Sequence, residues 1–289
     1  MAHYATTIEI PTLDDVEKTL PIRTAEVYGN PNPNEIVALG GAVYEGVKPF
    51  AYDSHRRLCA RMAVDIGESN FWILPSHERL PYPYSPLYSV AGMFKTEKQI
   101  GRKADWLLWI DDDVCVVSDL YRVLRKAADP KERRFVTVPA CDRQPPFRVA
   151  IWQDVPTAGL TIRKHWVAKG GEDDPYKLLP GEMWMPTSGI HEIKVTGLCA
   201  ALIHRSLFDE VKQPWFAVLP GDVDGEGNIE HRVNTDGWWS QQLQDAGIKS
   251  YACCDTIALH LGTPLPVSPM TAPILRQIFG RPAGTQDPV

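Results

Sequence analysis

Residues 105–117 read DWLLWIDDDVCVV. Apolar side chains run almost unbroken from Trp106 to Val117, interrupted only by Asp111, Asp112 and Asp113. Such a run suits a strand buried on both faces, as in a parallel sheet covered by helices. Three adjacent carboxylates at the edge of a core repel one another and are costly unless a cation or hydrogen-bond donors offset them. Hard oxygen ligands suit Mg²⁺ or Mn²⁺. Alternation along an extended chain sends Asp111 and Asp113 to one side and Asp112 to the other, which can hold a metal and a nucleotide together. The plain alternative is a strand that ends in a solvated acidic turn.

Upstream, IVALGGAVY (36–44) predicts a first strand, and DSHRRLCARMAVD (53–65), with an Asp/Ser cap and Leu58, Met62 and Ile66 at helical spacing, predicts an amphipathic helix. FWILP (71–75) is a short strand stopped by Pro75, SHERLPYPYSPLYSV is a structured loop, and a helix covers 90–100. Downstream, SDLYRVLRKAAD is a helix capped by Ser118 or Asp119, and RFVTVPA is a strand. This alternation over 36–140 implies an α/β domain with ligands at the carboxyl ends of its strands. From Cys141 to about Ile193, scattered Pro and Trp residues without clear periodicity predict a loop-rich insertion near the site. Order returns with EIKVTGLCAALIHRSLFDEV, the acidic loop LPGDVDGEGN, the helix around GWWSQQLQDAG and the strand SYACCDTIALHLG. The expected organisation is an N-terminal extension (1–35), a single domain (36–263) and a Pro-rich, loosely packed tail (264–289).

The chain has 289 residues, 44% hydrophobic and 23% charged, enough to bury a real core and outside the disordered, collagen-like and disulfide-scaffold classes. Its net charge of −6 is not the footprint of a protein living on bulk nucleic acid or anionic lipid. No stretch approaches the roughly 18 apolar residues that cross a bilayer, and the N-terminus lacks the pattern of an export signal, so a cytoplasmic protein is expected. Cys59, Cys115, Cys141, Cys199, Cys253 and Cys254 lie mostly in apolar runs without zinc spacing and read as reduced core thiols.

Two later residues qualify as chemical groups. Asp236, in NTDGWWSQQLQDAG, suits either a helix cap (Thr235 or Asp236) or a general base facing a cleft. His260, ending YACCDTIALHLG, is either a satisfied core histidine or a ligand. GDVDGEGNIEHRV nearly matches a calcium loop, but its twelfth position is Val233 rather than Glu, so a mobile lid is the preferred reading. Trp184, Trp215, Trp238 and Trp239 divide between core packing and flat faces for a sugar or base.

The order of these segments resembles the GT-A glycosyltransferases, in particular family-two-like and phage-type members. The resemblance covers roughly 36–142 and 193–263. DWLLWIDDDV looks like the apolar strand ending in the DxD motif, and VTGLCAALIHRSLFDEVKQPWF like the Gly-containing strand, helix and Pro-Trp-Phe turn that face the donor sugar. TDGWWSQQLQDAG looks like the acidic pair that opens a helix, with Thr235 in place of the usual Glu, and DTIALHLG like the strand that brings a His to the metal. The resemblance implies a Rossmann-like nucleotide-diphospho-sugar transferase fold, with a mixed, mostly parallel central sheet flanked by helices. It implies Asp111, Asp113 and His260 as ligands of Mn²⁺ or Mg²⁺, and Asp111, Asp112, Gly40, Gly41, Gly197 and Leu198 as donor-binding residues. It further implies nucleotide contacts from Leu39 to Val43 and Ser76 to Arg79, and a cation from Lys95 or Arg102.

On this reading a divalent ion offsets the charge of a diphosphate leaving group, and Asp236 deprotonates the acceptor hydroxyl if the anomeric centre inverts. A UDP-sugar is the first donor to consider. Acceptors include a small molecule, a saccharide, a protein or a hydroxylated pyrimidine in phage DNA within a host cytoplasm, with no membrane partner. The alternatives are a sugar nucleotidylyltransferase, whose Gly-rich phosphate loop with a nearby Arg GGAVYEGVK lacks, and a non-catalytic sugar- or nucleotide-binding protein.

Overall fold

The computed structural model describes residues 31–41, 49–75, 84–142, 147–157, 159–170, 176–223, 229–261, 266–269, 271–273 and 275. The central layer is a seven-stranded mixed sheet. Strand β1 (Val37–Gly40) pairs in parallel with β2 (Phe71–Ile73) on one side and β3 (Trp106–Ile110) on the other. Beyond β3 lie β11 (Ala200–His204), antiparallel to both its neighbours, then β5 (Phe135–Thr137), β14 (Ser250–Cys253) and the antiparallel edge strand β9 (Ile190–Ile193). Five strands therefore point their carboxyl ends one way, and β11 and β9 run against them. The α/β class with a largely parallel sheet is as the sequence indicated.

Strand parity explains the two cores. On β3, Trp106, Leu108 and Ile110 face one side, where Leu58 and Met62 of helix α1 (Pro49–Ile66) and Leu120 and Leu124 of α3 (Leu120–Ala127) pack on them. Leu107 and Trp109 face the other side. There they meet Val90 and Met93 of α2 (Tyr84–Ile100), Leu207 and Phe208 of the short α4 (Leu207–Glu210), and Trp239 and Leu243 of α5 (Thr235–Asp245). Each fully buried large side chain here contributes about 1.5–3 kcal/mol, which is why the apolar run of β3 is the spine of the fold.

The run is not one strand. Asp112 and Asp113 form a turn, closed by Val114 N–H donating to Asp111 O at 3.2 Å, and the chain resumes as β4 (Val114–Cys115). Strand β4 leaves the main sheet and pairs antiparallel with β15 (Leu259–Leu261), which pairs with β16 (Pro266–Val267). Val114 thereby stands opposite His260.

Helix boundaries also differ from expectation. In α1, Asp53 and Ser54 sit inside the helix rather than at its cap: Asp53 pairs with Arg57 at 3.0 Å, and Ser54 donates to Ala51 O at 2.9 Å. Asp119 does occupy the N-cap position of α3, but its carboxylate accepts from Arg61 at 2.9 Å and caps nothing.

The stretch 141–193 is strand-rich rather than loop-rich. Strands β6 (Val149–Thr157) and β7 (Leu160–Val167) form a long hairpin, flanked by β10 (Val195–Thr196) and β8 (Glu182–Trp184). A register irregularity between Val149 and Trp152 breaks the period-two pattern, and Pro156 lies next to the hairpin's end, so neither signal was legible. The buried Glu182 carboxylate ties this sheet down, accepting from Arg148 at 2.7 Å, Tyr176 at 2.8 Å and Leu179 N–H at 2.9 Å. Part of the Pro-rich tail is also core: Val267, Ala272 and Leu275 are buried against Phe147, Val149 and Ile151. The acidic loop runs between β12 (Leu219–Val223) and β13 (Ile229–Val233), and its residues 224–228 lie outside the described residues.

Gly41 locks the end of β1 to the end of β3. A Cβ there would stand 1.7 Å from Ile110 O, while Ser89 Oγ donates to Gly41 O at 3.0 Å. The obstacle is backbone one residue before the acidic turn, so it does not yield by a rotamer change. Gly41→Ala is therefore expected to lose about 2–3 kcal/mol of stability, read as a lower urea midpoint with unchanged m-value.

Candidate active site at the carboxyl ends of the strands

The acidic turn sits where the parallel strands end, and parity decides where its side chains go. Asp111 follows Trp109 by two residues and lies on the same face, so the buried Trp109 indole N–H donates to Asp111 Oδ1 at 2.9 Å. The main chain is fixed by Asp111 N–H donating to Cys199 O on the loop before β11, at 3.0 Å. Burial holds the Asp111 carboxyl well above its ordinary value, and the negative charges of Asp236, Asp113 and Asp112 push the same way. The Trp109 hydrogen bond opposes them.

Asp112 faces the other way, into a cleft of about 340 Å³ at the ends of β1 and β2, shared with Gly40, Gly41, His55, Ile73 and Ser89. His55 reaches across from α1 and its Nε2 donates to Val114 O at 2.8 Å, so the wall of this cleft is hydrogen-bonded to the segment just beyond the turn. Burial depresses the His55 pKa, consistent with a neutral ring.

Asp113 meets His260. The two side chains are largely buried, with His260 Nε2 3.3 Å from Asp113 Oδ1. On the other edge of the ring, His260 Nδ1 lies 3.0 Å from Cys141 O. A carbonyl only accepts, so Nδ1 carries a proton, and in the neutral ring Nε2 then turns its lone pair toward a carboxylate oxygen. Two acceptors facing each other call for a cation or a second proton between them. A His whose far nitrogen is fixed by a carbonyl is also the usual arrangement of a metal-ligating imidazole.

Asp236 stands in the first turn of α5 and is not its cap. Asn234 does the capping, its Oδ1 accepting from Gly237 N–H at 2.8 Å, so the Asp236 carboxylate is left for the cleft. Burial raises its pKa to about 6; a hydrogen bond from Leu198 N–H and the nearby His260 pull the other way. Gly197 lies beside it: a Cβ at that position would be in ordinary contact with Asp236 Oδ2 at 3.7 Å and crowded against Ala150 Cβ at 3.2 Å. Leu198 contributes its backbone only, because its side chain is buried in the core behind α5.

The structure thus gathers Asp111, Asp113, Asp236, His260 and Gly197 at one end of the sheet, with Asp112, Gly40 and Gly41 on the adjoining cleft. Among the described residues no three His, Cys, Asp or Glu side chains form a group that could hold a metal ion; Asp113 and His260 form a pair, with the Asp111 charge nearby. Arg102 is not part of it, being bonded to Asn70 Oδ1 at 3.2 Å where β2 and β3 begin. Ser76–Arg79 lie outside the described residues. Trp215 and Trp239 are core residues, and Trp238 donates to Pro214 O at 2.7 Å. Among the cysteines only Cys59 reaches the cleft, and the other five are buried free thiols.

Four participants were missed in the sequence: Trp109, the Cys141 carbonyl, Asn234 and Asp142. Parity with Asp111 is a signal for the first, and an Asn three residues before Gly237 for the third. Asp142 leaves no signal; partial desolvation raises its pKa while His260 and Arg148 pull it down.

No protein-family model matches the chain, and no curated protein is similar to it at a significant level. Among solved structures, the crystal structure of A197 from STIV matches with a TM-score of 0.42 and 13% identity, covering 78% of this chain and 85% of that one.

Proposed function

We propose that this chain is a divalent-metal-dependent glycosyltransferase of the GT-A type, moving a sugar from a nucleotide diphosphate, a UDP-sugar first among them, to a hydroxyl acceptor. The observation that carries the reading is His260 Nε2 facing Asp113 Oδ1 at 3.3 Å, beside Asp111 and Asp236, at the carboxyl ends of the parallel strands. The charges of Asp113 and Asp236 bear on that of Asp111 and repel it. Asp111, Asp113 and His260 are oxygen and imidazole donors suited to Mn²⁺ or Mg²⁺, which when bound supplies charge neutralisation to the diphosphate leaving group.

Each residue then has a task. The cleft of Gly40, Gly41 and Asp112 receives the nucleoside. Gly197 leaves room for the sugar beside Asp236. The Asp236 carboxylate, held in place by Leu198 N–H, accepts the proton of the acceptor hydroxyl in an inverting reaction. In a retaining one it orients sugar or acceptor. The acceptor class is a small molecule, a saccharide, a protein or a hydroxylated pyrimidine in DNA. Among the described residues no helix is long and apolar enough to cross a membrane.

Thermal melting across a panel of UDP-, GDP-, ADP- and dTDP-sugars, each with Mn²⁺ and with EDTA, tests this directly. One donor should raise the melting temperature in Mn²⁺ only, by the equivalent of about 2.7 kcal/mol at a hundredfold excess over Kd. Absence of a shift with every donor overturns the proposal in favour of a protein that binds neither metal nor sugar nucleotide.

A further inference from the structure

Trp109 has no role in the chemistry just described, yet it is the side chain that most directly holds Asp111. It is only 1% exposed, and its indole N–H lies 2.9 Å from Asp111 Oδ1. A buried indole needs a partner, and here that partner is a half-buried carboxylate surrounded by three others. The ring is itself immobilised. Its centroid is 6.1 Å from that of Phe216, which is 5.5 Å from Trp239, which stacks on Phe208 at 5.6 Å. Trp239 lies on α5, three residues after Asp236, so one run of rings spans from the strand that ends in Asp111 to the helix that carries Asp236.

We propose that Trp109 is a positioning residue. It binds one oxygen of Asp111 and fixes the carboxylate plane, so that the other oxygen is presented to the cation alongside Asp113 and His260. The inference rests on the metal-site reading above. The N–H, rather than the bulk of the ring, is the operative group: a phenyl ring fills most of the same space but leaves the carboxylate free to rotate. Outer partners of this kind typically cost 10–100-fold in metal affinity when removed.

The test is Mn²⁺ binding by the purified full chain without any sugar nucleotide, measured by electron paramagnetic resonance of free Mn²⁺ and by calorimetry. Trp109→Phe is compared with Phe216→Leu, which loosens the same ring column but leaves the indole N–H in place; melting curves establish that both variants are folded. The expected result is Mn²⁺ affinity 10–100-fold weaker in Trp109→Phe and within about threefold of wild type in Phe216→Leu. Equal affinity in Trp109→Phe and wild type overturns the role of Trp109 and leaves the metal site standing. An equal loss in both variants assigns the effect to packing and likewise overturns it. A wild-type chain that binds no Mn²⁺ removes the metal-site reading, and this inference with it.

Discussion

Asp113→Ala is expected to abolish Mn²⁺-dependent sugar transfer while leaving the melting temperature of the metal-free protein within a few degrees of wild type. Asp113 lies in a turn whose backbone bonds, Val114 N–H to Asp111 O and Leu261 N–H to Asp113 O, do not need its carboxylate. What the substitution removes is the oxygen facing His260 Nε2. A metal acting on a diphosphate leaving group is worth several kcal/mol, so the rate should fall about 10³-fold or more, with Mn²⁺ affinity falling in parallel. Retention of the wild-type rate in a steady-state assay with the donor found by thermal melting would sink the metal-site assignment.

Asp236→Asn should separate function from stability in opposite directions. Loss of a general base costs roughly 10²–10⁴ in turnover. The folded chain, however, holds the Asp236 proton up to about pH 6, against an ordinary carboxyl value of 3.8. The folded state therefore binds more protons than the unfolded state between those values, and the stability of the metal-free protein declines as pH rises through that window. Above it, the ionised carboxylate works against folding. Asparagine keeps an oxygen for Leu198 N–H and removes the charge, so the variant should be more stable than wild type at pH 7.5 by about 1–2 kcal/mol, with the difference vanishing below about pH 4. Urea titrations at pH 7.5 and pH 4 measure both ends. A destabilised, fully active Asp236→Asn would reduce Asp236 to a packing role. The pH dependence of transfer gives a second reading: the rate should climb with pH through about 6, and that limb should be absent from the variant.

The core was legible because it obeys a local rule. DWLLWI is apolar on both faces, and the helices packed on it carry Leu58, Met62 and Leu120 at spacings that point one way. The break at Asp112 was not legible, because an extended strand and a tight turn both send Asp112 away from its neighbours. The hairpin of β6 and β7 was hidden by its own irregularity. In the site, residue types were readable and partners were not. Asp236 read equally well as cap or base until Asn234 took the cap. Leu198 meets Asp236 through its peptide N–H, and sequence alone does not mark which main-chain group will be left over.

Strand β15 delivers His260 to the acidic turn and to the Cys141 carbonyl across a separation of 119 residues, and β16 then closes over it. Chains emerge from the ribosome N-terminus first, and pairings between distant segments are the slowest to form. The acids of β3 are therefore synthesised well before the imidazole that faces them exists. During synthesis the acidic turn has no imidazole opposite it until the last strands dock. A shortened product ending before residue 259 would carry the acidic turn without His260 opposite it, so premature termination loses this pairing altogether.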